Sequence, residues 1–228
     1  MTTDAPTEPP RLSNADLAQV MKLIKGADSV ELKVTVPVSE HRATIQGLPM
    51  DPVEAQPRQV FFFDTPDLDL NRAGVVVRAR RVQGGRGDTS VKVEVDAMPG
   101  GYVCSASYKG RTTGQEVRDA VRGGAPLRKL YSKEQRAFYR DHAPEGIDLD
   151  SLVPLGPTFI LKTKFIVEST YDVQRWDHLM AVEMWFYPDG SRILELSTRC
   201  RPEDAFQVAA EARAYLAGRG VMIAGEQQ

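Results

Sequence analysis

Six segments of this chain alternate apolar and polar residues with a period of two, and in each the ionised side chains keep to one parity. In 29–36, SVELKVTV, the residues Val30, Leu32, Val34 and Val36 fall on one side, with Glu31 and Lys33 on the other. The same separation sets Arg78 and Arg80 apart from Val75, Val77 and Ala79, and Lys92, Glu94 and Asp96 apart from Val91, Val93 and Val95. Lys162 and Lys164 share a side, as do Glu183 with Trp185 and Glu195 with Ser197. A period of two puts alternate side chains on opposite faces of a β-strand, so each segment reads as a strand with one apolar and one charged face. Two folds write these letters. One is an antiparallel sheet with a solvated outer face. The other is a sheet rolled into a tunnel that gathers the charges around its axis. Solvated faces mix Thr, Ser, Gln and Lys, whereas here Arg and Lys concentrate in three strands and lone glutamates recur in others, which favours the tunnel. Such an interior suits a polyanion bound with a divalent metal: Arg forks take phosphate oxygens, Lys adds point charge, and carboxylates hold a hard cation.

The rest of the chain limits the alternatives. At 228 residues, 42% of them hydrophobic, the chain can bury one substantial core. Lys plus Arg number 29 against 31 Asp plus Glu, a net charge of -2, so the molecule as a whole does not attract nucleic acid or an anionic membrane. Cys104 and Cys200 lie far apart without metal-ligand spacing, and the start of the chain resembles neither a secretory nor a membrane-spanning run. A reduced, cytoplasmic protein is expected. His41, His142 and His178 are scattered, with no motif for a Ser-His-Asp arrangement, and neither common glycine-rich nucleotide cradle is present.

Residues 1–12 read as a disordered polar tail. A single domain is expected over 13–222, opening with a short amphipathic helix from Ser13. Strands are expected at QVFFFDT, VVVRARRV, SVKVEVDA, YVCSASYKG, FILKTKFIVE and in a late hairpin turning at Pro188–Ser191, with 83–89 as a glycine-rich loop. A helical insertion occupies about 114–142, where Ser132 and Gln135 stand in capping-box register, and a helix closes the chain after Pro202. The sum is an α+β fold of seven or eight antiparallel strands with flanking helices.

The run 62–80, FFDTPDLDLNRAGVVVRAR, is similar to the signature of the CYTH superfamily, the triphosphate tunnel metalloenzymes. There an aromatic-Asp-Thr-Pro segment leads through a turn and Ala-Gly into a strand bearing Arg-x-Arg. The resemblance extends more weakly over most of 29–219. It implies a closed eight-stranded antiparallel β-tunnel, a divalent Mg or Mn cofactor, and a small molecule carrying a triphosphate as partner, with a homodimer as one option. In this chain Arg78, Arg80, Lys92, Lys162 and Lys164 would bind phosphate. Glu31, Glu183 and Glu195 would hold metal, and Lys33 with Glu31 would serve catalysis. Asp64, Thr65 and Asp67 around Pro66 read as turn chemistry. Three places depart from the pattern: Ser29 stands where the opening Glu-x-Glu-x-Lys has its first glutamate, the SVKVEV strand has Lys92 alone followed by Glu94 and Asp96 where more positive charge is expected, and Ser197 stands where a second late glutamate is common.

Three activities fit these residues. The first is metal-dependent hydrolysis of inorganic triphosphate or a related compound. The second is cyclisation of ATP to cyclic AMP and pyrophosphate, as in class IV adenylate cyclases. The third is binding of polyphosphate or a nucleotide without cleavage, to which Ser29 and Ser197 would be suited.

Overall fold

The computed structural model describes residues 30–95, 103–168 and 177–223. The expected tail, the helix from Ser13, Ser29 and Asp96 lie outside the described residues. Eight strands form one closed barrel: β1 (Val30–Val36), β2 (Gln56–Asp64), β3 (Val75–Val82), β4 (Arg86–Val95), β5 (Val103–Thr113), β6 (Val153–Glu168), β7 (Asp177–Phe186) and β8 (Arg192–Cys200). Their order around the barrel is β1-β5-β4-β3-β2-β6-β7-β8, and every pairing is antiparallel. β1 closes it by pairing with β8 on one side and β5 on the other.

The apolar rows face outward, and helices cover them on two sides. Val30, Leu32, Val34 and Val36 of β1 join Phe165 and Val167 of β6, Met180 and Val182 of β7, and Leu194 and Leu196 of β8. The closing helix α5 (Ala205–Gly218) supplies Val208, Ala209, Ala212 and Leu216 to this core. On the opposite wall Phe61, Phe63, Val75, Val77, Ala79 and Val91 are covered by the central segment. Its helices are α3 (Gly114–Val121), contributing Val117 and Ala120, and α4 (Lys133–His142), contributing Tyr139. Both carry full capping boxes, Thr113 with Glu116 and Ser132 with Gln135. The described residues also include two short helices, α1 (His41–Gly47) and α2 (Asp69–Arg72). Burying a Leu or Phe stabilises by about 1.5–3 kcal/mol each, so the two outer cores hold the barrel closed while its interior keeps most of the charged side chains beside a small cluster of Val60, Ile160 and Trp185.

Two expectations about boundaries are corrected. The β3–β4 connection is a tight turn at 83–85, with Gly84 and Gly85 at positive φ, and the rest of the expected loop belongs to β4. β6 begins at Val153, ahead of the expected strand, because a register shift between Val60 and Phe62 of β2 accommodates the stretch containing Gly156 and Pro157.

Candidate functional site

The Asp-Thr-Pro corner shapes the mouth of the barrel. Asp64, buried at the end of β2, accepts hydrogen bonds from the backbone N–H groups of Thr65 (2.7 Å), Leu70 (2.9 Å) and Asn71 (3.0 Å). Thr65 donates its hydroxyl to Asp69 and accepts from the Asp69 backbone N–H. The chain then passes Leu68, in the left-handed region at φ 60°, and Gly74 at φ 69°. A Cβ on Gly74 would lie 3.2 Å from the Glu94 carbonyl oxygen, so glycine is required twice over there. These bonds deliver β3 into the sheet with Arg78 and Arg80 facing inward.

The two arginines have different surroundings. Arg80 pairs with Asp88 at 2.7 Å and lies 3.9 Å from Glu183. Burial works to lower its pKa, but Asp88 and Glu183 outweigh that and raise it. Arg78, 7% exposed, donates Nε to Ser90 at 2.9 Å and makes no ion pair among the described residues. Burial and the neighbouring Arg80 both lower its pKa. It is an arginine whose terminal nitrogens remain to be used.

Around it the carboxylates are held ionised by cations. Glu31 lies 3.2 Å from Lys92, 3.3 Å from Arg199 and 3.7 Å from Lys109, and these charges overcome its burial to set its pKa well below the usual carboxylate range. Glu94 contacts Lys33 at 2.9 Å and Lys92 at 3.1 Å, and the two lysines override burial to bring it to about 2. Glu183, paired with Lys162 and Arg80, is likewise brought to about 2 against its burial. Lys33 also lies 3.7 Å from Glu195; burial lowers its pKa, but Glu195 and Glu94 prevail and raise it. For Lys162 burial wins over Glu183, and its pKa falls. Burial also brings Lys109 down to about 7, because the attraction of Glu31 is offset by Arg199, Arg78 and Arg80.

A cavity of about 380 Å³ runs through this array, lined by Glu31, Lys33, Arg78, Lys92, Glu94, Glu183, Glu195 and Ser197. Of the residues singled out in the sequence, Arg80 and Lys162 stand behind the cavity wall as partners of Glu183. Lys164 is exposed on β6 and is not part of the wall. Three charged residues that pair with this array escaped the sequence reading: Lys109, Arg199 and Asp88. Lys109 continues the polar parity of Ser105 and Ser107, and Arg199 that of Glu195 and Ser197, which is the signal that could have revealed them.

Glu183 and Glu195 stand opposite each other in the β7–β8 register, both on the cavity wall. Glu31 is engaged by three cations, and among the described residues no three His, Cys, Asp or Glu side chains are grouped to hold one metal. Two carboxylates suit Mg or Mn that keeps phosphate oxygens as its remaining ligands.

Part of the cavity wall is aromatic. Phe62, Trp185 and Tyr187 stack in a row, with ring centroids 6.1 Å apart between the first two and 6.4 Å between the last two. Among the described residues no helix is long and apolar enough to cross a membrane.

No family model matches the chain, and no curated protein is similar to it. Solved structures are. A candidate adenylyl cyclase from Hippeastrum, described as having a dominant triphosphatase activity, superposes with a TM-score of 0.64 at 16% identity, covering 88% of this chain and 92% of its own. A candidate adenylate cyclase from Bacillus halodurans superposes with a TM-score of 0.61 at 15% identity, covering 87% and 92%. The closed eight-stranded barrel is the fold these structures share with this chain.

Proposed function

We propose that this protein is a metal-dependent phosphohydrolase acting on inorganic triphosphate or another triphosphate compound held in the barrel. The observation that carries this reading is Arg78: a buried guanidinium with no ion pair among the described residues, facing a cavity where its neighbours Lys33 and Lys92 are already aligned by Glu94 and Glu31. A buried charge in that position costs stability unless an anion completes it.

Arg78 would take phosphate oxygens with its two free terminal nitrogens, and Lys33 and Lys92 would turn from their carboxylates towards the incoming anion. Arg80 and Lys162 act one step back, keeping Glu183 ionised and placed. Glu183 and Glu195 would hold a Mg or Mn ion together with the phosphates; when bound, that ion neutralises charge building on the transferring phosphoryl group. Water attacks the terminal phosphorus, the bridging P–O bond breaks to release pyrophosphate, and the proton of the water leaves to solvent or phosphate. Glu31, its pKa far below neutrality, is a weak base, so we assign it the holding of Lys92 and Lys109, and Lys33 the orientation of the attacking water. Catalysis on this scheme is positioning plus electrostatics, as phosphoryl transfer generally is. The similarity to the Hippeastrum protein supports the reading at the level of fold.

The test is release of orthophosphate from tripolyphosphate by pure protein with Mg, with Mn and with EDTA, measuring cyclic AMP and pyrophosphate separately when ATP is supplied. Metal-dependent orthophosphate is expected. Binding without turnover under every metal would refute hydrolysis, and cyclic AMP as the main product would replace it with cyclisation.

A further inference from the structure

Lys33 and Lys92 converge on one carboxylate oxygen of Glu94, at 2.9 and 3.1 Å. Glu31 also meets Lys92, but it keeps Lys109 and Arg199 when that lysine turns towards phosphate. Glu94 has no third cation among the described residues, so both of its partners are side chains that the phosphate reading assigns to the ligand. Its side chain is 27% exposed, against 13% for Glu31 and 9% for Glu183, and it lines the cavity. Burial opposes its charge, yet the two lysines bring its pKa to about 2, so it is a full anion at neutral pH.

The backbone of Glu94 is pinned, and its side chain has a second place to go. Its N–H donates to the Gly74 carbonyl at 2.9 Å, so the corner that aims Arg78 inward also fixes this residue of β4. Glu94 is the cross-strand partner of Ser105 on β5, and Ser105 is in turn the partner of Glu31 on β1. Directly opposed residues share a face with Cβ atoms about 4.5–5.5 Å apart, which puts the Ser105 hydroxyl within reach of a glutamate side chain. That hydroxyl is fully buried and has no hydrogen-bond partner among the described residues. Buried hydroxyls ordinarily have one.

We propose that Glu94 is a built-in competitor of the phosphate ligand, seated on Lys33 and Lys92 until a triphosphate displaces it to the Ser105 hydroxyl. This rests on the triphosphate reading above and adds what sets the affinity of that site. As the lysines turn to the phosphate, Glu94 loses both cations, and the Ser105 O–H donates to its carboxylate instead. When the chain has been cut, the shorter products make fewer contacts, and the return of Glu94 to the lysines drives them out. Glu94 acts on binding and release and leaves the attack on phosphorus to other groups.

The test is titration calorimetry of the full chain with tripolyphosphate, in EDTA so that none is turned over, on the wild type, Glu94→Gln, Ser105→Ala and the double variant. Gln keeps the shape of Glu94 and an oxygen for the lysines but carries no charge. Glu94→Gln is expected to bind tripolyphosphate about tenfold more tightly, the order that removing one like charge about 7 Å from the anion gives in a partly screened site. Ser105→Ala should weaken wild-type binding by about tenfold, as loss of one hydrogen bond to a charged group does. In the Glu94→Gln background the same serine change should have little effect, a coupling that a merely structural Glu94 does not produce. Calorimetry fits affinity separately from the fraction of competent protein, so partial unfolding does not imitate tighter binding. Affinity for Glu94→Gln equal to or below that of the wild type, or a serine effect of the same size in both backgrounds, would overturn the competitor and leave the triphosphate reading standing. Failure of tripolyphosphate to bind either the wild type or Glu94→Gln would overturn both.

Discussion

Replacing Arg78 by Ala separates two side chains that the sequence presents as equivalents. Arg78 gives one hydrogen bond, to Ser90, and its charge is buried without an ion pair among the described residues, so its removal costs the fold little and relieves desolvation. For the ligand the loss is large. Two charge-assisted hydrogen bonds to phosphate contribute about 1.5–3 kcal/mol each, so Arg78→Ala should weaken tripolyphosphate binding by about 3 kcal/mol or more, roughly a hundredfold. Arg80→Ala should behave in the opposite sense. It deprives Asp88 and the buried Glu183 of a partner, and breaking a buried pair costs about 3–5 kcal/mol, a fall in Tm of order 10 °C for a domain of this size. Titration calorimetry with tripolyphosphate and thermal melts of the unliganded proteins measure both effects. Arg78→Lys, which keeps the charge without the fork, should fall between wild type and Ala in affinity. An Arg78→Ala protein that binds tripolyphosphate within twofold of wild type would refute the argument. So would an Arg78→Ala variant whose Tm drops as far as that of Arg80→Ala.

Other consequences can be measured directly. Lys109, brought down to about 7 by burial, is partly neutral near pH 7.5, and a bound polyanion should recharge it; calorimetry in buffers of different ionisation enthalpy should show proton uptake on tripolyphosphate binding, reduced in Lys109→Met. Glu183 and Glu94, both near 2, sit below the ordinary carboxylate range, so their contribution to stability is full above about pH 4.5 and disappears as the pH falls through 2; Glu183→Gln should flatten the acid limb of a Tm-against-pH curve. Glu195→Gln removes one of two opposed carboxylates, and the Mn concentration giving half-maximal phosphate release should rise by about tenfold or more. A Cβ on Gly110 would meet Thr89 Oγ1 at 2.6 Å and Gln135 Oε1 at 2.7 Å, so Gly110→Ala should lower stability by about 1–3 kcal/mol in denaturant melts by pushing α4 off the barrel.

The sequence made the strands legible because a period of two is a one-dimensional signal. Val30, Leu32 and Val34 against Glu31 and Lys33 can be sorted without knowing any neighbour. It also made the corner legible, because Asp64, Thr65 and Gly74 act through contacts close in the chain, apart from the Glu94 carbonyl beside Gly74. Which cation meets which carboxylate was hidden, since it depends on the stagger between strands far apart in sequence. Glu31 meets Arg199 across 168 residues and Lys33 meets Glu94 across 61. Asp88 was concealed by its glycine-rich surroundings, and the start of β6 by Pro154, Gly156 and Pro157, residues that ordinarily end strands. The difference between Arg78 and Arg80 was invisible for the same reason: it is made by Ser90 and Asp88 on the next strand.

The barrel places its two larger hydrophobic cores outside its wall, and its charges, with one small aromatic cluster, within. Each strand thus serves two masters on opposite sides of one backbone, and substitutions can accumulate on either side with little reference to the other. Positions such as Ser197, Trp185 or Val76 can be rewritten to admit a new ligand while Leu32, Leu194 and Leu196 continue to seat the closing helix. The same arrangement forbids sliding, because displacing one strand by a single residue would turn lysines towards α5 and leucines into the cavity at once. Such a scaffold is free to drift in chemistry and rigid in register, which is consistent with a shared barrel at sequence identities near 15%.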